Sequence, residues 1–309
     1  MDKQLDLAVL GECLIELSSK ESLDTTQSFQ KSYGGDSIVS AIIASRLGTK
    51  TGLISGFGED GFKDYLVSEL LKENIDLTAV KTVSEQNGLY IASRNSDKNE
   101  FYYYKRKSAA TRLEEDDVKE ELISSLKCLY STGVTQSLSV SARNAVKKAF
   151  SIAHENPVIT AYDPNYTSCF MYSEETREFL EDILPFTKII FMSLKNDAKH
   201  IFETDTPENL AKFLNDNGVE IVVIKSHVDG GYYTFYNGEK RFCEFFNDVE
   251  IVDITASGDT FNGAFLHAYI SGNTPFEATK FASIAAGLHA NKVGAVEAIP
   301  TKNDIMRYV

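Results

Sequence analysis

Tryptophan is absent from the 309 residues, and cysteine (4), histidine (5) and proline (6) are scarce. Cys13, Cys128, Cys169 and Cys243 lie far apart. No C-x-x-C occurs and no Cys/His pair has zinc spacing, which excludes a disulfide scaffold and a structural zinc site. Buried thiols in a reducing compartment are expected instead. The prolines are thinly spread, and no repeat, low-complexity stretch or linker separates modules, so residues 1–309 are expected to form one domain. No apolar run approaches ~18 residues, and Asp2, Asp6 and Glu12 interrupt the N-terminal apolar stretch. Neither a membrane span nor a signal peptide is expected, and the expected location is the cytoplasm. Positive charge is also short: 31 Lys and Arg face 45 Asp and Glu, a formal net charge of −14. That sign repels a polyphosphate backbone, so nucleic acid is not an expected partner. An anionic small substrate would need local basic groups or a helix N-terminus to hold it. The patterns G-x-x-x-x-G-K-[ST] and H-E-x-x-H and the protein-kinase signatures are missing too.

What is present is ordinary globular material, 43% hydrophobic and 25% charged, which argues against disorder. A chain of this length buries ~75% of its unfolded surface and needs no covalent or metal staple. Apolar runs at 5–10, 51–55, 128–132, 158–162, 188–191 and 221–225 read as buried strands. Helix patterns fall at 37–47, 62–73, 114–126, 141–155, 174–184, 195–202, 207–216, 258–271 and 274–291. Strands and helices that alternate with short connections imply a mostly parallel sheet with helices on both faces. Two β-type runs, 88–94 and 100–107, flank a polar turn at 95–99 and form a hairpin outside that alternation. A second hairpin, 232–236 and 240–245, turns at Asn237-Gly238, the strongest short hairpin signal.

Three glycine loops precede helices. Gly56-Phe57-Gly58-Glu59-Asp60-Gly61 satisfies G-x-G-x-x-G between a strand and a helix, the context of a dinucleotide fingerprint. Glu59 and Asp60 oppose that reading, because they would face a pyrophosphate with fixed negative charge. In Tyr33-Gly34-Gly35-Asp36, the glycines allow close backbone approach and Asp36 can accept from hydroxyls, although a plain helix start has the same look. The third loop, Asp253 to Ala264, reads D-I-T-A-S-G-D-T-F-N-G-A. Small residues running into a helix can aim several N–H groups at an anion on the positive end of the dipole. Asp259 in the first turn is either a cap or a carboxylate poised to take a proton from a hydroxyl beside that anion hole, as phosphoryl transfer requires.

Together these motifs resemble the ribokinase-like (PfkB) carbohydrate kinases. Asp253–Leu266 is similar to the family's C-terminal signature D-T-x-G-A-G-D, with Ile254 in place of Thr and Ala256-Ser257 in place of Gly-Ala. Gly34–Gly48 resembles the N-terminal signature, ending Ala44-Ser45-Arg46-Leu47-Gly48, with Val39 where the family has Asn. Gly58–Gly61 fits the family's G-x-D-x-x-G segment, and the likeness runs over nearly the whole chain. The resemblance implies a ribokinase-like α/β fold, a central mostly parallel sheet flanked by helices with a small inserted β-sheet lid at about 12–33 and 87–108. It places Asp259 as catalytic base and Ala256, Ser257 and Gly258 as the anion hole. It places ATP beside the same loop, with Lys225 and Gly230 of a K-x-x-x-x-G segment, Ser193, Asn196 and His289 at its border. Ser193 and Asn196 fall where many members carry N-x-x-E, a region that organises Mg²⁺. The Glu is missing, so metal contacts are expected through water or other groups and no direct metal ligand is assigned. None of the scattered histidines is read as catalytic.

Within the family, the resemblance is to 2-keto-3-deoxygluconate kinases. It rests on Thr255–Asp259 (T-A-S-G-D), on Gly35-Asp36-Ser37, on the lid run Phe101–Ala110 and on Asp163-Pro164-Asn165-Tyr166. It implies a sugar pocket formed by Gly34, Gly35, Asp36, Tyr90, Tyr104, Lys105, Asp163, Asn165, Thr167 and Asp259. Thr167 departs from the pattern, because the family has a carboxylate-gripping Arg there and Thr has no charge. Lys105, Arg106 or Lys107 would have to compensate, unless that run is a solvated strand. The alternatives are a neutral-sugar kinase of fructose or ribose type, a catalytically idle sugar sensor and an NAD-dependent oxidoreductase using the 56–61 loop. Tyr90 and Phe101–Tyr104 place more aromatic surface on two short strands than one hairpin can bury, so a homodimer through the lid is expected.

Overall fold

A computed structural model describes residues 4–94, 99–204 and 206–309; positions 95–98 of the expected turn lie outside them. Its strands are β1 (Leu7–Leu10), β2 (Leu14–Ser19), β3 (Gln30–Gly34), β4 (Thr51–Gly58), β5 (Val80–Val83), β6 (Leu89–Arg94), β7 (Asn99–Tyr104), β8 (Cys128–Thr132), β9 (Ile159–Asp163), β10 (Ile189–Ser193), β11 (Ile221–Ser226), β12 (Gly231–Tyr236) and β13 (Glu239–Glu244). Nine of them form one sheet in the order β13-β12-β11-β10-β9-β8-β1-β4-β5. All its pairings are parallel except β11–β12 and β12–β13, the hairpin turning at Asn237-Gly238 with φ of 51° and 75°. The central strands are buried along almost their whole length because both faces are covered, and their polar residues cluster at the carboxyl ends of β8 to β11. Leu7 and Val9 of β1, and Ile221 and Val223 of β11, enter one core with the helices Asp36–Leu47, Ser257–Ile270 and Pro275–Ala290. Ala8 and Leu10, and Val222 and Ile224, enter the other, with Val140–His154, Ser173–Ile183 and Pro207–Asp216.

The remaining strands form a separate sheet in the order β3-β2-β6-β7, the lid. Glu16 and Ser32 lie opposite each other across β2 and β3, and Glu16 and Tyr90 across β2 and β6, so these polar side chains share one face of the lid. Among the described residues, no helix is long and apolar enough to cross a membrane.

Three expected elements differ, each for a local reason. The helix expected at 114–126 is broken into a 3₁₀ turn at Glu115–Asp117 and a short helix at Glu120–Ser124, because Asp117 accepts from the Glu114 N–H at 2.9 Å and closes the turn on itself. The helix expected at 195–202 is a widened π-type turn, Leu194–Ala198, followed by Lys199–Ile201. The Asp197 carboxylate pins its start by accepting from the Ser193 N–H at 2.5 Å. The lid strand expected to reach residue 107 stops at Tyr104, and the chain then turns through Lys107 at φ 59°.

Two helices are brought unusually close. A Cβ at Gly263 in Ser257–Ile270 would overlap the Ser40 carbonyl in Asp36–Leu47. Ser40 Oγ donates to the Asp259 carbonyl at 2.9 Å. That contact sets the first turns of the two helices, and so Asp36 and Asp259, side by side at the carboxyl ends of the parallel strands, where open α/β sheets hold ligands.

Candidate active site

Asp259 is not a cap: Ala256 occupies the N-cap position and no side chain caps the helix. The Asp259 carboxylate accepts from Asn165 Nδ2 at 3.1 Å, and the same amide reaches towards Asp36 at 3.5 Å. Asn165 reaches both because it is held left-handed at φ 44°, with its N–H on Asp163 Oδ1 at 2.8 Å. The other Asp163 oxygen accepts from Lys225 Nζ at 2.8 Å and Asn262 Nδ2 at 2.7 Å. Burial, and then the Asp36 charge, push Asp259 well above the usual carboxylate range, with Lys225 and Asn165 opposing. A carboxyl raised in this way is a stronger base once ionised.

Ala256 is left-handed at φ 59°, the bend that starts the helix. The Ser257 N–H donates back to the Ile254 carbonyl at 3.2 Å, so Ser257 closes the turn and does not serve as an open donor. The N–H groups of Ala256, Gly258 and Asp259 have no protein acceptor among the described residues, so Ala256 and Gly258 of the expected trio stay open and Asp259 takes the place of Ser257. Lys225 Nζ stands 3.4 Å from the Gly258 carbonyl, at the edge of this loop, and Gly230 turns at φ 72° just beyond it.

His289, expected beside the nucleotide, is fully buried behind the loop. Its Nε2 is 2.8 Å from the Thr255 carbonyl and its Nδ1 is 2.7 Å from Thr260 Oγ1. A carbonyl only accepts, so Nε2 carries the proton and Nδ1 accepts from Thr260. Burial lowers the ring to about 4, which keeps it neutral. His289 therefore shapes the loop from behind. Thr255 is fixed from the other side by Asp253, whose Oδ1 accepts from its N–H at 3.0 Å and its hydroxyl at 2.6 Å.

The lid wall is arranged differently from the expectation. Tyr104 is 61% exposed and points away, whereas Tyr103 stacks at 5.7 Å from Tyr90 and 5.2 Å from Phe170. The Tyr90 hydroxyl donates to Glu16 and stands where a Cβ on Gly34 would be. Lys105 is buried and already paired, with Nζ 2.5 Å from Glu12 Oε1 and 3.9 Å from the Phe170 ring centre. Burial raises Glu12 despite the lysine, and its second oxygen has no hydrogen-bond partner among the described residues. Thr167 is spent on a turn, accepting the Met171 N–H on its carbonyl at 3.1 Å; that turn delivers Phe170 to the lid.

Ser193, at the end of β10, accepts from the Asn196 N–H at 3.2 Å. The acid beside them passed unnoticed in the sequence: Asp197 accepts from the Ser193 and Tyr166 N–H groups, and burial followed by the Asp163 charge raises it to about 7. The sequence carried no signal for it, because Asp197 follows Lys195 and Asn196 in a polar run. Glu12, Phe170 and Asn262 were also missed; a lone polar residue in an apolar run was the available hint for Glu12 and Asn262, and Phe170 carried none. Among the described residues, no group of three or more His, Cys, Asp or Glu could hold a metal ion. The 56–61 loop offers no dinucleotide seat. A Cβ at Gly56 would lie 2.7 Å from the Ala109 carbonyl and one at Gly58 would overlap Glu85, so both glycines face the protein's own backbone. Asp60 is occupied by Asn87 and the Phe62 N–H.

With this geometry in view, the model of the pfkB family carbohydrate kinases matches residues 4–302. A 2-dehydro-3-deoxygluconokinase of Thermoproteus tenax is 29% identical over 98% of this chain and 94% of its own. An ATP-dependent 6-phosphofructokinase of Thermoanaerobacterium thermosaccharolyticum is 27% identical over 97% and 92%. The crystal structure of a putative ribokinase II from E. coli in complex with ATP and Mg²⁺ superposes with a TM-score of 0.88 at 23% identity, covering 98% of each chain. A carboxylate beside open amides at a helix start, on this fold and with this match, makes the chain a member of the pfkB carbohydrate kinase family, a phosphotransferase.

Proposed function

We propose that the protein transfers the γ-phosphoryl group of ATP to a primary hydroxyl of a keto-deoxy sugar acid, with 2-keto-3-deoxygluconate as the substrate. The observation that carries the transfer is the Asp259 carboxylate, raised in basicity, next to the open Gly258 and Asp259 amides. Asp259 takes the proton of the attacking hydroxyl. That oxygen bonds to the γ-phosphorus as the bond to the ADP oxygen breaks, and the helix N-terminus holds the charge on the transferring oxygens. Lys225 and the turn at Gly230 border the nucleotide. In this reading Mg²⁺ enters with ATP, whose phosphate oxygens supply its main ligands. Bound Mg²⁺ would neutralise phosphate charge; Asp197 and Ser193 would hold its water shell.

The sugar sits between Gly34–Asp36, Tyr90, Tyr103, Lys105 and residues 163–167. The T-A-S-G-D loop and the T. tenax relative support the sugar acid. A neutral ketose is the second reading, favoured by the pairing of Lys105 with Glu12 and by the uncharged Thr167. Coupled ADP detection across sugars and sugar acids separates the two. A higher kcat/KM for 2-keto-3-deoxygluconate than for fructose and ribose supports the first, and the reverse order overturns it.

We also infer a homodimer through the lid. Tyr90 and Phe101 pack within the sheet, but Tyr102 and Tyr104 stay exposed on β7, an edge strand with no outer partner among the described residues. A second copy of this chain would cover them. Light scattering is expected to give twice the 34.3 kDa chain mass at micromolar concentration, and a monomer overturns the inference.

A further inference from the structure

Arg94 ends the lid strand β6, and its side chain is nine-tenths buried. One nitrogen, Nη1, lies 2.5 Å from Glu16 Oε1 within the lid. Nε and Nη2 have no hydrogen-bond acceptor among the described residues. Nε instead faces Asp253 Oδ2 across 3.7 Å, an ion pair too long to be a hydrogen bond. Asp253 opens the loop that leads to Asp259. A cavity of about 1110 Å³ lies between lid and body at this point, lined by Glu16, Arg94, Asp253, Gly294 and Glu297 among others. A buried guanidinium with two idle donors is costly unless another arrangement satisfies them. The open space lets the lid move inward, and the carboxylates around the cavity make it a poor seat for a free anion.

We propose that Arg94 is a positioning residue that couples lid closure to the anion hole: inward movement of the lid turns the 3.7 Å ion pair into a direct hydrogen bond on Asp253. The link onward consists of short contacts. Asp253 holds Thr255, the Thr255 carbonyl holds His289, and His289 holds Thr260, next to Asp259. Burial alone would raise Asp253, but the Thr255 hydroxyl and N–H, the Gly294 N–H and Arg94 hold it below the usual range, so it stays ionised and available to the guanidinium. Open amides are then aligned for phosphoryl transfer only when the lid is down on a sugar, which would restrain transfer to water. The inference rests on the kinase reading and not on the identity of the sugar.

The test measures ADP and sugar phosphate separately in the full-length enzyme. Arg94→Met is expected to lower kcat by about tenfold to a hundredfold, the scale of a small misplacement at a reacting centre. KM for ATP should change little, and the share of ADP formed without sugar phosphate should rise. Arg94→Lys, which keeps the charge and loses the fork, should recover part of the loss. In an Asp253→Asn background, Arg94→Met should have almost no further effect, because the shared link is already cut. Unchanged kcat and coupling in Arg94→Met, or the same loss in both backgrounds, overturns the proposal. If Arg94→Met does not fold, Arg94→Lys in the two backgrounds decides between the same outcomes. If the wild-type enzyme phosphorylates no sugar, the kinase reading fails instead, which is a different result.

Discussion

The floor of the site and its lid wall solve opposite problems. On the floor, Asp36, Asp163 and Asp259 crowd around Asn165, and among the described residues Lys225 is the one cation paired with them. Burial first, and then the crowded Asp36 and Asp163 charges, keep Asp259 basic. On the lid wall, the two buried cations are matched: Lys105 by Glu12, and Arg94 by Glu16 and Asp253. A carboxyl that is to act as a base gains from like charge in a place sheltered from water, whereas a buried cation is costly unless a carboxylate pairs with it. Both regions are assembled from residues far apart in the chain: the floor from Asp36, residues 163–165, Lys225 and Asp259, and the lid wall from the pairs Lys105–Glu12 and Arg94–Glu16.

The largest effect should come from breaking the floor. Asp259→Asn removes the general base while keeping a side chain that Asn165 can contact, so kcat should fall ~10²–10⁴-fold with sugar and ATP binding largely retained, as calorimetry would check. Near-normal turnover would remove Asp259 from the role of base. Lys225→Met leaves Asp163 buried without its cation, and unfolding by urea should report a loss of about 3–5 kcal/mol, typical for half of a buried pair. A loss below about 1 kcal/mol would mean that Asn262 and the Asn165 N–H satisfy Asp163 on their own.

Adding charge to the wall tests its specificity. Thr167→Arg supplies the missing fork, and a charge-assisted bond to a carboxylate is worth ~1.5–3 kcal/mol, so KM for 2-keto-3-deoxygluconate should fall roughly tenfold or more while fructose and ribose change little. An equal change for all sugars would show that the carboxylate does not sit there. The smallest effect is on pH. Asp259 is raised by burial and then by Asp36, so activity requiring its ionised form is lost as pH falls through that raised value. Asp36→Asn removes the like charge, so the acid limb of kcat should move to lower pH. A limb that stays in place would assign the shift to burial alone.

The glycine-rich run from Asp253 to Ala264 announced the catalytic floor in the sequence, because a helix start with small residues and an acid in its first turn is a local pattern. The buried strands were legible for the same reason: coverage on both faces makes Ile221–Ile224 of β11 an unbroken apolar run. The fold class followed from that alternation. Strand β5 was not legible, since Val80–Val83 sits at the sheet edge with every residue partly solvated and no pattern to read. Lys105 looked free because its partner, Glu12, is 93 positions away. His289 looked like a nucleotide contact because burial cannot be read from a lone histidine.

The sequence by itself determined the alternation of the main strands and helices, the family resemblance, and Asp259 with its helix start, all of which depend on neighbours within a few turns of chain. Only the tertiary structure decided that Tyr103 rather than Tyr104 packs on Tyr90 and Phe170, that Lys105 and Arg94 are paired with carboxylates, and that Asp197 accepts from the Ser193 N–H. The physical reason is that the state of a charge is set by every group that packs against it. In this protein the lid, the β9 loop and the loop before Asp259 come from distant parts of the chain, so those groups meet only after it has folded.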